Sequence, residues 1–547
     1  MTRRRGDAIH VPIVNAMQNC VTQWSYTSGK SYADPFNDCE LDVQFTDPDG
    51  QTVQVPAYWA GDQSWGVRYA SDMVGRHTCR TICSDTSNPD LHGHEREIDI
   101  APYEGNNLLY KHGPLQIRRD ARYLEHTDGT PFFWLGDTWW LGLCKRLGWP
   151  NDFHTLLADR VAKGFTVIQI VAGLYPDMPA FDPRGANEAG FPWEKDYARI
   201  NPAYFNLADL RIGRLVDAGL VPCIVGCWGY HLHWLGIEGM QRHWRNLVAR
   251  WGAYPVVWCA AGEGAMPFYL TKQREKDIAI QKKGWTQLVR YIRSTDGFGR
   301  PVTIHPAAPH SGYDQIEDAS VIDMDMLQTG HNDHQTMPDT IRLVRRSFEM
   351  QPPKPVINAE VCYEGLGASS YANLQRHLFW SCMLSGAAGH TYGANGVWQV
   401  NRRDDPYGPS PHGMNWGDEP WDDAYQLPGS AHLGRAKRIL EKYEWWRFTP
   451  RPDWVEPHSN EDNWYLPYAA GIPAEVRVIY MPHRTNREAV VKKLEPGVKY
   501  HAVLSSPIKD DDYDVGPVEP DANGDWKFPV FWTPYFHDWV LILTREA

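Results

Sequence analysis

Between residues 113 and 443, short and strongly apolar runs alternate with amphipathic stretches, and no other feature restricts the folds open to this chain so far. Parallel strands covered on both faces need no polar alternation, and strand-then-helix repetition is the signature of βα units around a parallel sheet. Eight runs fit that pattern: 132–136, 167–172, 221–226, 256–261, 301–305, 321–327, 355–359 and 386–392. Eight is the number that closes a (β/α)8 barrel. Between the runs, 151–163 sets Phe153, Leu156, Leu157 and Val161 on one side and stops at Gly164, as a helix should. Further helices are predicted over 202–218, 240–251, 272–293, 338–350 and 371–385, and a last helical stretch ends at Tyr443. A doubly wound sheet would usually show a glycine-rich phosphate turn after its first strand. Gly136-Asp137-Thr138-Trp139 stands there instead.

The flanks have a different texture. Leu41, Val43 and Phe45 alternate, Asp47-Pro48-Asp49-Gly50 turns the chain, and Val53 with Val55 resumes the period of two, which predicts a hairpin. No helical periodicity competes, so residues 1–112 are expected to form a β-sandwich. After Tyr443 the strands 476–480, 500–504 and 539–543 and the turn 521–524 predict a second sandwich over 444–547. The expected architecture is α/β, a (β/α)8 TIM barrel over 113–443 between two β-sandwich domains. A chain of 547 residues needs more than one core in any case.

Composition narrows the function classes. A formal net charge of -13 repels polyphosphates and anionic lipid, and no stretch of about 20 apolar residues exists to span a membrane, so neither nucleic acid nor membrane is assigned as partner. Self-association is left open. Ten cysteines are scattered without a second pair at zinc-ribbon spacing, which predicts buried reduced thiols. Residues 1–13, with Arg3, Arg4 and Arg5, lack the apolar segment of about 7–15 residues that a secretory signal needs, and the expectation is a cytoplasmic protein. The 25 Trp and 27 Tyr supply flat apolar faces with a polar edge, suited to cores and to stacking on sugar rings.

In a barrel of this kind the site lies at the C-terminal ends of the strands. The fourth run leads straight into Gly262-Glu263-Gly264, and the seventh straight into Glu360. A single Glu in such a place as readily caps a helix. Two of them, on strands that stand nearly opposite in an eight-membered ring, can face each other across the mouth. Glycosyl transfer with retention uses such a pair about 5–5.5 Å apart, one carboxylate attacking and the other protonating the departing oxygen, and the two tasks require different pKa values. Rim candidates for substrate contact are Asp137 and Trp139 after strand one, Trp228 and His231 after strand three, His305 after strand five, Gln328 and His331 after strand six, and Tyr392 and Trp398 after strand eight. Each is nearly as apt to be a satisfied structural group. The segments 175–199 and 401–425 are long enough to close over the mouth.

The run from Phe132 to Trp140 that opens the barrel, together with Asn358-Ala359-Glu360 and the leading and trailing sandwiches, resembles the bacterial glycoside hydrolase family that includes apiosidases, whose members carry a collagen-binding-like C-terminal domain. The resemblance spans essentially the whole chain. It implies a clan A barrel, with Glu263 as general acid/base, Glu360 as nucleophile and no metal or cofactor, acting on a glycoside or oligosaccharide such as an apioside or arabinofuranoside. One departure stands out, because the clan's usual Asn before the acid is Gly262 here. Two other classes compete. A metal-dependent barrel hydrolase would use His231, His233, His305, His331 and His334, but the His-x-His pair trails the third strand and its members diverge if extended. A non-catalytic carbohydrate-binding protein would have no need of both carboxylates.

Overall fold

The computed structural model describes residues 13–482, 489–528 and 537–546; the arginine-led opening, Arg3 to Arg5, lies outside them. Its centre is one curled nine-stranded sheet. Eight strands run in parallel: β1 Trp134–Trp139, β2 Val167–Val171, β3 Val221–Val225, β4 Val257–Cys259, β5 Val302–Thr303, β6 Asp325–Gln328, β7 Val356–Glu360 and β8 Gly389–Tyr392. Every residue of β2, β3 and β7 is buried, which is why these runs carry no polar alternation.

The parallel part of the ladder runs from β5 back through β1, on to β8 and β7, and ends at β6. The expected ring therefore has a seam, since β5 and β6 share no strand pairing. The physical reason is legible around β5. Only two residues are paired before Pro306 and Pro309 remove backbone donors, and the short strand His310–Ser311 takes the free edge of β6 in antiparallel sense. The seam is spanned by Asp323 N donating to Val302 O at 2.8 Å and by Thr303 Oγ1 donating to Met324 O at 2.9 Å.

Helices α1 Asn151–Ala162, α2 Pro202–Asp217, α3 His231–Trp251, α4 Arg274–Thr295, α5 Met337–Glu349, α6 Ala372–Leu384 and α7 Pro428–Leu440 cover the sheet. Between β5 and β6 the helical elements are 3-10 turns, one of them at Ala319–Val321, where a strand was expected to begin. Helix α3 starts at His231 instead of residue 240, because a left-handed Gly236 (φ +67°) joins two helical pieces that read as separate in sequence. Among the described residues no helix is long and apolar enough to cross a membrane, and all ten cysteines are free thiols.

In the N-terminal part, a five-stranded and a three-stranded sheet close on a shared core of Leu41, Val43, Phe45, Trp65, Val67 and Tyr69. The predicted hairpin forms, with Val43 opposite Val55 and Phe45 opposite Val53, although Ile13–Met17 joins its neighbour in parallel. At the other end, a six-stranded and a three-stranded sheet share a second core. The outer face of the larger sheet, through Val478, Tyr480, Val540 and Ile542, continues the central core against α6. There the Tyr480 ring stacks on Trp380 at 5.9 Å.

Both flanking parts are pinned by buried charge. Arg68 of the N-terminal part contacts Asp209 of α2 at 2.6 Å, and Asp209 also accepts from Arg250 Nη1 and Trp251 Nε1, each at 2.8 Å. Arg68 and Arg250 are almost wholly buried. Asp209→Ala would strand two cations without their counter-charge, so it is expected to lower stability by about 3–5 kcal/mol, read as a fall in the denaturation midpoint against wild type.

Candidate active site

Glu360 is the last residue of β7, directly after Ala359, and is buried. Its Oε1 accepts from Gln328 Nε2 at 3.0 Å and meets His331 Nε2 at 2.9 Å. Its Oε2 stands 3.2 Å from His305 Nε2, an ion-pair contact outside hydrogen-bond geometry. A register shift between Leu327 and Gln328 sets Gln328 opposite Glu360, as bulges near sites commonly re-aim a side chain. Burial pushes the carboxyl pKa up, but the contacts from His305 and His331 outweigh it and hold the group at about 2. Glu360 is an anion at every ordinary pH.

Glu263 lies four residues beyond β4, partly exposed to the same cavity, and its Oε2 accepts from Trp228 Nε1 at 3.0 Å. Its backbone is left-handed (φ +45°), a conformation that costs a non-glycine residue about 1–3 kcal/mol and persists where neighbours impose it. They do so here: Gly264 N donates to His305 O at 3.0 Å, Met266 N to Glu263 O at 2.8 Å, and Trp285 Nε1 to Gly264 O at 2.6 Å. Burial, and then the charge of Glu360, raise the Glu263 pKa to about 7. The departure at residue 262 also has a cause, since a Cβ on Gly262 would lie 2.3 Å from the Trp228 ring.

Both carboxylates line one cavity of about 290 Å³, walled by Trp140, Trp228, Tyr363, Trp398 and Trp416. Of the expected contact residues, Trp228, Gln328, His331 and Trp398 line it, and His305 reaches Glu360 from the protein side. Four others are placed elsewhere. Asp137 is fully buried in an ion pair with Arg160 of α1 at 2.6 Å and accepts from Trp139 Nε1 at 2.8 Å. The reason is the pleat, because Asp137 and Trp139 share the helix-facing side of β1, whereas Trp140 turns inward. Tyr392 likewise faces outward and donates to buried Glu364 at 2.5 Å. His231 meets Tyr175 O at 3.0 Å, and burial pushes its pKa down to about 3.

Residues that sequence reasoning missed complete the wall. Trp140 Nε1 donates to the Tyr363 hydroxyl at 2.7 Å, and the Tyr363 ring lies nearly parallel to Trp398 at 6.0 Å. The unbroken burial of β1 hides the inward phase of Trp140; Asp177, His412 and Trp416 fall in the two segments expected to close over the mouth, though no spacing singles them out, and Tyr269 comes from the loop after β4. Of the histidines of the metal alternative, His305 and His331 meet at Glu360 and the others lie apart. His231 is held by a backbone carbonyl and His334 stacks on Trp464, and among the described residues no three ligand-type side chains gather as a metal site.

A family model described as "Apiosidase-like, catalytic domain" matches residues 118–447, and one for a domain of unknown function, DUF5060, matches residues 18–84. Among solved structures, one named "Glycoside hydrolase" is 22% identical, covers 80% of this chain and 98% of its own, and has a TM-score of 0.66. A glycoside hydrolase family 5 protein from Bacteroides vulgatus ATCC 8482 is also 22% identical, covering 80% and 94%, with a TM-score of 0.65. A second protein of that organism, provisionally assigned to the glycoside hydrolases, is 16% identical over 98% of this chain and 100% of its own, with a TM-score of 0.67. These likenesses concern the fold. No curated protein matches the chain.

The electrostatic link between the two carboxylates is directly measurable. Glu360→Gln removes the charge that helps raise Glu263 and leaves the burial in place. The Glu263 carboxyl is therefore expected to titrate below about 7 in the variant but above the ordinary glutamate range. Carboxyl-carbon NMR titration of both proteins tests this, and an unchanged Glu263 titration would show the two groups to be uncoupled.

Proposed function

The chain belongs to the apiosidase-like family of catalytic domains and is a glycoside hydrolase, and from that premise we propose that it cleaves its substrate with retention, by double displacement, using Glu360 as nucleophile and Glu263 as acid/base. The observation that carries this reading is one cavity lined by two carboxylates whose pKa values lie near 2 and near 7. Environments that separate two such groups are how one site performs attack and protonation at the same pH. We take residues 113–443 as the catalytic domain, a (β/α)8 barrel whose seam is spanned by Asp323 and Thr303, with 1–112 and 444–547 as sandwich domains.

In the first step, Glu360 attacks the anomeric carbon while Glu263 passes its proton to the departing oxygen, giving a glycosyl ester on Glu360 and a free alcohol. Forming the ester removes the Glu360 charge, and with it one cause of the raised Glu263 pKa. Glu263 is then a carboxylate suited to take a proton from water, whose oxygen displaces Glu360 and restores both groups. Trp228 orients Glu263 through its indole N–H, and His305, Gln328 and His331 keep Glu360 ionised and aimed. Trp140, Tyr363, Trp398 and Trp416 supply faces on which a sugar ring can stack. Kinship with the family favours a furanoside as glycone, such as an apioside or an arabinofuranoside, within an oligosaccharide or glycoside.

Glu263→Gln and Glu360→Gln are each expected to fold normally and to lose about 10²–10⁴-fold or more in turnover. Azide is expected to rescue the smaller Glu360→Ala, and NMR of fresh product from a glycoside panel to show the substrate's anomeric configuration. Because the protonated form of Glu263 is the working acid, kcat/KM is expected to fall as pH rises through about 7. Wild-type turnover in either Gln variant would sink the role assigned to that residue.

A further inference from the structure

A third carboxylate lines the cavity, and no step of the mechanism gives it a task. Asp177 lies in the segment after β2, in left-handed conformation (φ +60°) and only 3% exposed. Its Oδ2 accepts from Trp416 Nε1 at 2.7 Å, while its Oδ1 accepts no hydrogen bond from any described residue. Buried polar atoms in native proteins are rarely left so, and an unmet carboxylate oxygen is costlier than a neutral one. Burial raises the Asp177 pKa; the Trp416 indole, the Tyr269 and Ser410 hydroxyls, which lie nearby but outside hydrogen-bond geometry, and the Arg184 charge act in the opposite direction.

Two long segments meet around Asp177 at one end of the cavity. Arg184, from the same segment, donates to Tyr407 O at 3.2 Å and to Pro409 O at 3.3 Å, so that 175–199 is laced to 401–425. The Tyr269 ring stacks on His412 at 4.9 Å and 3° across the same end. Through Ala308, His331, Leu366 and Trp416 the cavity adjoins a wider groove of about 980 Å³. A sugar ring beside Glu360 thus meets the Asp177 side chain on the wall of the small cavity, where one carboxylate oxygen lacks a donor, and has room for the rest of a glycan outside it.

We propose that Asp177 is a specificity-determining residue of the glycone site, accepting hydrogen bonds from hydroxyl groups of a neutral sugar, with the groove holding the remainder of the glycan. The proposal rests on the glycosidase reading above and deepens it. Neutrality follows from charge, since a uronate would bring another carboxylate into a cavity that already holds Asp177, Glu263 and Glu360, where low dielectric magnifies repulsion. Of the basic side chains on the wall, His331 is engaged with Glu360, and Arg274 and His412 stand at the exposed rim.

The test is binding, not turnover, so its outcome is separable from the roles of the catalytic pair. Wild type, Asp177→Asn and Arg184→Ala are titrated by NMR or calorimetry with free arabinose, xylose, apiose, galactose, mannose, glucose, galacturonic acid and glucuronic acid. Asn keeps an acceptor for Trp416, and Arg184→Ala removes the links between the same two segments, together with the bond to Asp177 O and one nearby charge, while the carboxylate itself is kept. The expected result is that at least one neutral sugar binds wild type more tightly than either uronate, that Asp177→Asn weakens it at least about tenfold, and that Arg184→Ala changes it less than about threefold. The proposal is overturned if no neutral sugar binds wild type, if a uronate binds best, if Asp177→Asn binds as wild type does, or if Arg184→Ala loses as much as Asp177→Asn. Loss of sugar binding in Asp177→Asn alongside full turnover in Glu360→Gln would leave this inference standing and remove the mechanism.

Discussion

A carboxylate kept ionised out of reach of bulk water must be surrounded by donors, and at Glu360 that requirement organises the mouth of the sheet. The donors come from three places that the backbone does not tie together well. His305 follows β5, Gln328 ends β6 and His331 follows it, and between β5 and β6 the ladder is open. Side chains converging on one anion do at this seam what ladder hydrogen bonds do elsewhere. The irregularities nearby then have a common purpose, since the shifted register at Leu327 and Gln328 and the backbone hold on Gly264 by His305 both set atoms around the same pair of carboxylates.

The joints to the flanking parts use a related device at a distance from the chemistry. Arg68 with Asp209 on one side, and Arg376 with Asp538 on the other, are ion pairs at 2.6 Å with little exposure. Each carboxylate takes further donors, Arg250 and Trp251 at Asp209 and the Tyr480 hydroxyl at Asp538. Pairs of this kind contribute little net stability over well-packed apolar residues, but they tolerate no sliding, because a displaced partner leaves a buried charge unmet. They hold both sandwiches in register against the central sheet.

How far the sequence could be read followed from which forces act locally. Strand positions were visible because burial on both faces writes itself as an unbroken apolar run, and Glu263 and Glu360 were visible because each stands where such a run ends. The phase of a fully buried strand is not written the same way, so Asp137 and Trp139 looked as available as Trp140 although the pleat turns them to α1. His231 was hidden by a helix whose first piece ends at Gly236. The seam had a local trace in Pro306 and Pro309, but its closure by Asp323 and Thr303 did not. Asp177 and Trp416 are separated by 239 positions, and no spacing rule joins them.

The close packing of Trp228 over Gly262 links two positions that are 34 residues apart in sequence and adjacent in space. With the indole in place, residue 262 admits hydrogen alone, and with the indole gone, Glu263 loses its donor. Neither residue can drift by itself: a lineage that restored an amide side chain at 262 would have to give up tryptophan at 228 in the same passage, and would acquire a differently held proton donor as it did so. Among kindred sequences the two sites should therefore change as a unit, and the identity of one should foretell the other.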